Sequence, residues 1–111
     1  MQVGQYTIEA EQHSAWSKIF QIIGLPDLTS AEAKMSFKKN KTDTVDTVTL
    51  THLSGIVFAV DTATITLSAA QVDSLYCSAW YDLFIKIGGD WIKIMEGRAV
   101  VGSSITDPLA V

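Results

Sequence analysis

Apolar and polar residues alternate through most of this chain. In YCSAWYDLFIKI, Cys77, Ala79, Tyr81, Leu83, Ile85 and Ile87 share one parity, and Ser78, Trp80, Asp82, Phe84 and Lys86 share the other. A period of two is the pattern of a strand with one buried side. After Gly88-Gly89-Asp90 the alternation resumes, with Ile92 and Ile94 on one face and Trp91, Lys93 and Met95 on the other. Two alternating runs joined by a short Gly-rich link predict a β-hairpin. Gly97 then divides this second strand from a last one over residues 97–105.

The same reading extends toward the N-terminus. Residues 5–10 predict a first strand, with Tyr6, Ile8 and Ala10 on one side. Residues 14–23 predict another, but its apolar positions Trp16, Ile19, Phe20, Ile22 and Ile23 do not alternate cleanly. That irregularity points to burial on both faces or to a bulge. Residues 24–30 read as a loop in which Pro26 keeps Leu25 extended, while Asp27 and Ser30 make local turns. Over residues 31–39, Ala33, Met35 and Phe37 point inward and Glu32, Lys34, Ser36 and Lys38 outward. A polar loop over residues 40–46 leads into a strand over 45–53, then short strands over 56–60 and 64–67. SAAQVDSL, residues 68–75, predicts a single helical turn capped by Ser68. Residues 1–106 read as a single domain and 107–111 as a tail. Closely spaced strands with one helical turn define an all-β sandwich or barrel.

Composition narrows the partners. The chain has 111 residues, is 48% hydrophobic and 18% charged, and carries a net charge of -4. A domain of this size buries roughly two-thirds of its unfolded surface and needs no staple. The acidic balance argues against nucleic acid, which demands a basic face. Lys34, Lys38, Lys39 and Lys41 cluster, but Asp43 and Asp46 follow at once, and the group reads as a solvated strand face and loop. The single cysteine, Cys77, excludes an intrachain disulfide, and its parity places it in the core. The first residues lack a basic stretch followed by an apolar run, so no signal peptide is expected. No apolar run approaches the ~20 residues of a membrane span, and cytoplasmic synthesis is the expectation.

No reactive constellation emerges. His13 and His52 have no Cys or His at ligand spacing, so neither a metal nor a cofactor is expected. Phosphate-binding loops, dinucleotide fingerprints and nucleophile elbows are absent. Asp43 with Asp46, and Glu9 with Glu11, read as solvated edges rather than acid–base pairs. No catalytic residue is assigned, and the chain is expected not to be an enzyme. The sharper candidates are aromatic. Trp80, Phe84 and Trp91 fall on the face opposite the apolar run. Exposed, they form a patch suited to a protein partner or a sugar; covered by a second layer, they are core.

Residues 25–106 resemble a family. LPDLTSAEAKMSFKK is similar to the "p-DLTG-x-x-a-x-m-x-i-r" segment of small phage and prophage virion proteins. GIVFAVDTATITLSAAQVDSL resembles their next segment, and YDLFIKIGGDWIKIMEGRAVVGSSIT their closing one. That family resembles the immunoglobulin-like domain of phage baseplate upper proteins. The resemblance implies an immunoglobulin-like antiparallel β-sandwich of about seven to nine strands. By it, Asp27-Leu28-Thr29 leads into a strand, Tyr81, Asp82 and Leu83 anchor the central strand, and Gly97 marks the crossover to the last one. Ser30 stands where the family has Gly, and Ile105-Thr106 where it has Val-Thr. It implies no catalytic residues and a virion part of the tail, baseplate or head, assembling with itself and with other virion proteins. The alternative is a carbohydrate-binding module for host-surface attachment.

Overall fold

A computed structural model describes residues 4–22, 24–25 and 27–103. Ile23, Pro26, the end of the last predicted strand and the predicted tail lie outside the described residues. In chain order the elements are β1 (Gly4–Gln5), β2 (Ile8–Glu11), β3 (Trp16–Gln21), β4 (Glu32–Lys38), β5 (Val48–Thr51), β6 (Ile56–Phe58), β7 (Thr62–Leu67), α1 (Ala69–Ser74), β8 (Ser78–Ile87) and β9 (Asp90–Gly102). The larger sheet runs β1-β9-β8-β4-β5, with β2 also on β9, and the smaller runs β3-β7-β6. That is the partition of an immunoglobulin variable-type sandwich: strands B, E and D in one sheet, G, F, C and C′ in the other. The expected all-β, immunoglobulin-like sandwich with one short helix is therefore the fold. Both N-terminal strands pair parallel to β9, and the other strand ladders among the described residues are antiparallel.

The core lies between the sheets. Met35 and Phe37 of β4, Leu50 of β5, Ile65 and Leu67 of β7, and Leu83 and Ile85 of β8 are fully buried. Among the described residues no polar or charged side chain is buried. Antibody domains place a disulfide between the sheets; here Cys77 is exposed, not in the core as its parity implied. It precedes β8, where the strand alternation has not begun.

Three expectations are corrected by pairing. The first strand is broken: β1 faces Met95 and Glu96, β2 faces Ala99 to Gly102, and Tyr6 and Thr7 lie between them. Gly97 is no crossover but an interior residue of an unbroken β9. Only glycine fits there, since a Cβ would stand 2.1 Å from the Tyr6 carbonyl oxygen. A bulge between Leu83 and Phe84 pairs Leu83 with Met95 but Phe84 with Lys93, so Ile94 is the extra residue. The bulge resets the parity, and Met95, expected outside, is buried together with Ile94.

The strand with irregular apolar spacing, β3, is an edge strand rather than one buried on both faces. Lys18 holds an inward register position, opposite Ile65, and extends its ammonium group over the rings of Tyr6 and Phe20. Ile19 points outward and is 66% exposed. Residues 45–47 do not join β5, and Val45 is exposed.

The turns follow their residues. Gly88 and Gly89 both have positive φ, 62° and 89°, as a two-residue hairpin of primed type requires. Helix α1 carries a capping box, in which Ser68 Oγ accepts from Gln71 N and Gln71 Oε1 accepts from Ser68 N. Ser68→Ala is expected to lower stability by about 1 kcal/mol, read as a shifted urea midpoint with unchanged slope.

Candidate functional site

Register places the outer face of the larger sheet in rows. Arg98, Trp80 and Lys38 form one row across β9, β8 and β4. The next holds Gln5, Glu96, Asp82, Ser36 and Thr49. Below it come Lys93, Phe84, Lys34 and Thr51, and then Trp91, Lys86 and Glu32. All three aromatic residues singled out in the sequence therefore share this face. No second layer of described residues covers it, but the rings differ in exposure. Trp91 is 49% exposed, whereas Trp80 and Phe84 are half-buried among neighbouring side chains.

Cations account for much of that cover. The Lys41 ammonium sits 4.2 Å from the centroid of the Trp80 ring, and the Arg98 guanidinium 4.9 Å from it. Lys86 lies 5.8 Å from the Trp91 centroid. A cation over an indole face is held by the ring's quadrupole, and its stem adds apolar contact. The lysine cluster of the sequence is thus divided. Lys34, Lys38 and Lys41 belong to this face, while Lys39 turns away and donates to the carbonyls of Leu75 and Tyr76 behind α1.

Carboxylates stand between the cationic rows. Glu96 meets Lys93 at 2.5 Å and accepts from Gln5 at 3.1 Å; Asp82 lies 4.0 Å from Lys93. The hydrogen bond from Lys93, then that from Gln5, holds the Glu96 carboxyl below its ordinary range, and Glu96 raises Lys93 in return. Glu32 pairs with Lys86 at 3.8 Å and Asp46 with Lys38 at 3.9 Å. Partial burial pushes Asp46 up, but hydroxyls of Thr49 and Ser36 and the charges of Lys34 and Lys38 outweigh it and leave the carboxyl lowered. A groove of about 440 Å³ opens beside Trp80, bordered by Gln5, Lys41, Asp82, Lys93 and Glu96. A smaller hollow of about 230 Å³ lies between Phe84 and Trp91. Both are open to solvent.

Tyr81 anchors the sheet from beneath. It is 4% exposed, packs against Phe37, and donates its hydroxyl to the Tyr6 carbonyl. Burial, reinforced by Tyr6, pushes its hydroxyl well above the ordinary range. The role is structural: it fixes the N-terminal strands onto β9, and with them Gln5.

The histidines are engaged locally. His13 pairs with Asp73 of α1 at 3.1 Å, and His52 Nδ1 accepts from the Ala33 amide at 3.1 Å. Among the described residues no group of His, Cys, Asp and Glu is disposed to hold a metal ion. Nor is any helix among the described residues long and apolar enough to cross a membrane. Parity alone located the aromatic residues. It missed Gln5, Lys41, Lys93, Glu96 and Arg98 as their neighbours, because only pairing between distant segments brings these together.

No family model matches the chain, and no curated protein matches it. Among solved structures, it is similar to the extracellular domain of the voltage-gated sodium channel beta4 subunit. The identity is 14% and the TM-score 0.49, over 100% of this chain and 95% of that one. That structure is described as a parallel homodimer that explains a role in cell–cell adhesion. The fold assigned above rests on strand order, independently of this likeness.

Proposed function

We propose that this protein is a non-enzymatic structural component of a bacteriophage or prophage virion, in the tail, baseplate or head, that works by assembling with itself and with other virion proteins. The observation that carries the reading is the outer face of the larger sheet. It aligns Trp80, Phe84 and Trp91 with rows of charge on rigid strands, and its hollows are open to solvent. An aromatic patch rimmed by charge is the composition of a protein interface. The resemblance of residues 25–106 to small virion proteins supplies the setting.

Trp91→Ala tests it. The ring is half exposed, so the folded domain is expected to keep its stability within about 1 kcal/mol. Association, followed by light scattering across a concentration series and by incorporation into purified particles, is expected to fall about ten-fold or more. Unchanged association and incorporation would remove Trp91 from the interface.

Trp91 with Asp82 in the smaller hollow also favours the alternative, a carbohydrate-binding module. Trp80 contributes less to it, since two cations already lie against its ring. Binding on a glycan array by a monomer would select that reading over assembly.

A further inference from the structure

We infer that the outer face of the larger sheet binds a second copy of itself in one antiparallel register, set by its alternating rows of charge. The inference rests on the assembly reading and gives it a partner and a geometry. Consider a two-fold axis lying in the face, perpendicular to the strands, between the Asp82 row and the Phe84 row. Each strand then faces the same strand of the partner, run in reverse. The Asp82 row lies on the partner's Phe84 row, and the Trp80 row on the partner's Lys86 row. Glu96 thereby meets the partner's Lys93, and Lys38 meets the partner's Glu32. Arg98 falls on the partner's Trp91, and Trp80 beneath the partner's Lys86, both cation–π contacts. Asp82 and Ser36 meet the partner's Phe84 and Lys34, and within these four rows no like charges are directly opposed. Lys41, which reaches over Trp80 from the loop after β4, gives up that ring to the partner's Lys86 in this register.

Neighbouring registers fail. With the axis moved onto the Asp82 row, Arg98 opposes the partner's Lys93, Lys38 opposes Lys34, and Glu96 and Asp82 oppose themselves. With the axis along the strands, Arg98 opposes the partner's Lys38, and Lys93 opposes Lys34. Juxtaposed like charges at an interface exclude those alternatives.

The area suffices. β8 and β9 pair over 10 residues, β4 adds 7 and β5 adds 4; at ~3.3 Å per residue and ~4.8 Å per strand the face covers about 500 Å². Two such faces bury about 1,000 Å², the lower end for a specific interface. Twisted sheets stack with strands roughly 30° apart, which keeps these central rows in contact. The outer face of the smaller sheet, where Ile19, Thr64 and Val57 form one uncharged row, has three short strands and under half that area.

A charge swap tests the register. Glu32 is exposed and Lys38 half-buried at the surface, so reversing either costs only a surface ion pair, with Lys86 or with Asp46, and leaves the fold intact, checked by a single cooperative melting transition. Wild-type protein is expected to form dimers in sedimentation velocity. Glu32→Lys alone and Lys38→Glu alone each oppose like charges twice across the axis, and each is expected to weaken dimerisation about ten-fold or more. An equimolar mixture of the two variants restores opposite charges at both contacts and is expected to dimerise as wild type does. A monomeric wild type at millimolar concentration would overturn the inference. So would dimers insensitive to both reversals, or weakened variants whose mixture is not restored. In each of these cases, incorporation of the wild type into particles would still support the assembly reading; its absence would count against both.

Discussion

Phe37→Ala is expected to lower the unfolding free energy by about 3–5 kcal/mol. Phe37 is 0% exposed and lies on β4, the strand through which β8 and β5 are joined. Its neighbours in register are Tyr81 on β8 and Val48 on β5, and its ring is tilted against Tyr81 with centroids 5.6 Å apart. Truncation removes apolar area from the core and leaves a cavity whose walls are strands held by two ladders, so collapse is limited. Domains of this size have about 5–15 kcal/mol of stability, so the variant is expected to be marginal at 37 °C. Urea unfolding is expected to show a lower midpoint with an unchanged slope, while Phe37→Leu keeps most of the volume and loses about 1.5 kcal/mol or less. A loss under about 1 kcal/mol for the alanine variant would mean that the sheets do not close over this ring.

Phe37 was legible from sequence, and the reason is physical. β4 and β8 have one face in the core and one in solvent, so parity in the sequence maps directly onto burial. The same parity put Trp80, Phe84 and Trp91 on one surface. It failed where pairing between distant segments overrides local pattern. The phase of β9 changes at Ile94 because β9 holds one residue more than β8 can oppose, a mismatch invisible within either strand. β3 was misread because Lys18, at an inward position on an edge strand, escapes to solvent along the open side. The surroundings of the aromatic face were missed for a related reason. Lys41 comes from a loop and Gln5 from the N-terminal strand, and neither is near Trp80 in the chain.

Gly97→Ala is expected to cost about 2–4 kcal/mol, a large effect for one methyl group. The resemblance that marked Gly97 gave it a crossover; the structure gives it a contact. Its would-be Cβ lies 2.1 Å from the Tyr6 carbonyl oxygen and 3.1 Å from the Tyr6 carbonyl carbon, with the Tyr81 ring at 3.4 Å. The first two are backbone atoms, and the third belongs to a buried ring, so none yields cheaply. The N-terminal segment must lift from β9. That breaks the bond from Tyr6 N to Glu96 O and the one from Tyr81 to the Tyr6 carbonyl, and loosens the Gln5–Glu96 pair. Tyr81→Phe, which removes only the hydroxyl, is expected to cost about 1–2 kcal/mol and separates that bond from the steric effect. Amide exchange should distinguish local lifting from general loosening. In Gly97→Ala, protection is expected to fall at Tyr6 and along β2, while β4 and β5 exchange as in the wild type, once the lower global stability is allowed for. Because Gln5 and Glu96 lie in the central acidic row of the outer face, the same variant is expected to weaken self-association as well. A Gly97→Ala protein that melts with the wild type would place Tyr6 away from β9 and remove the lock from which the N-terminal strands take their register.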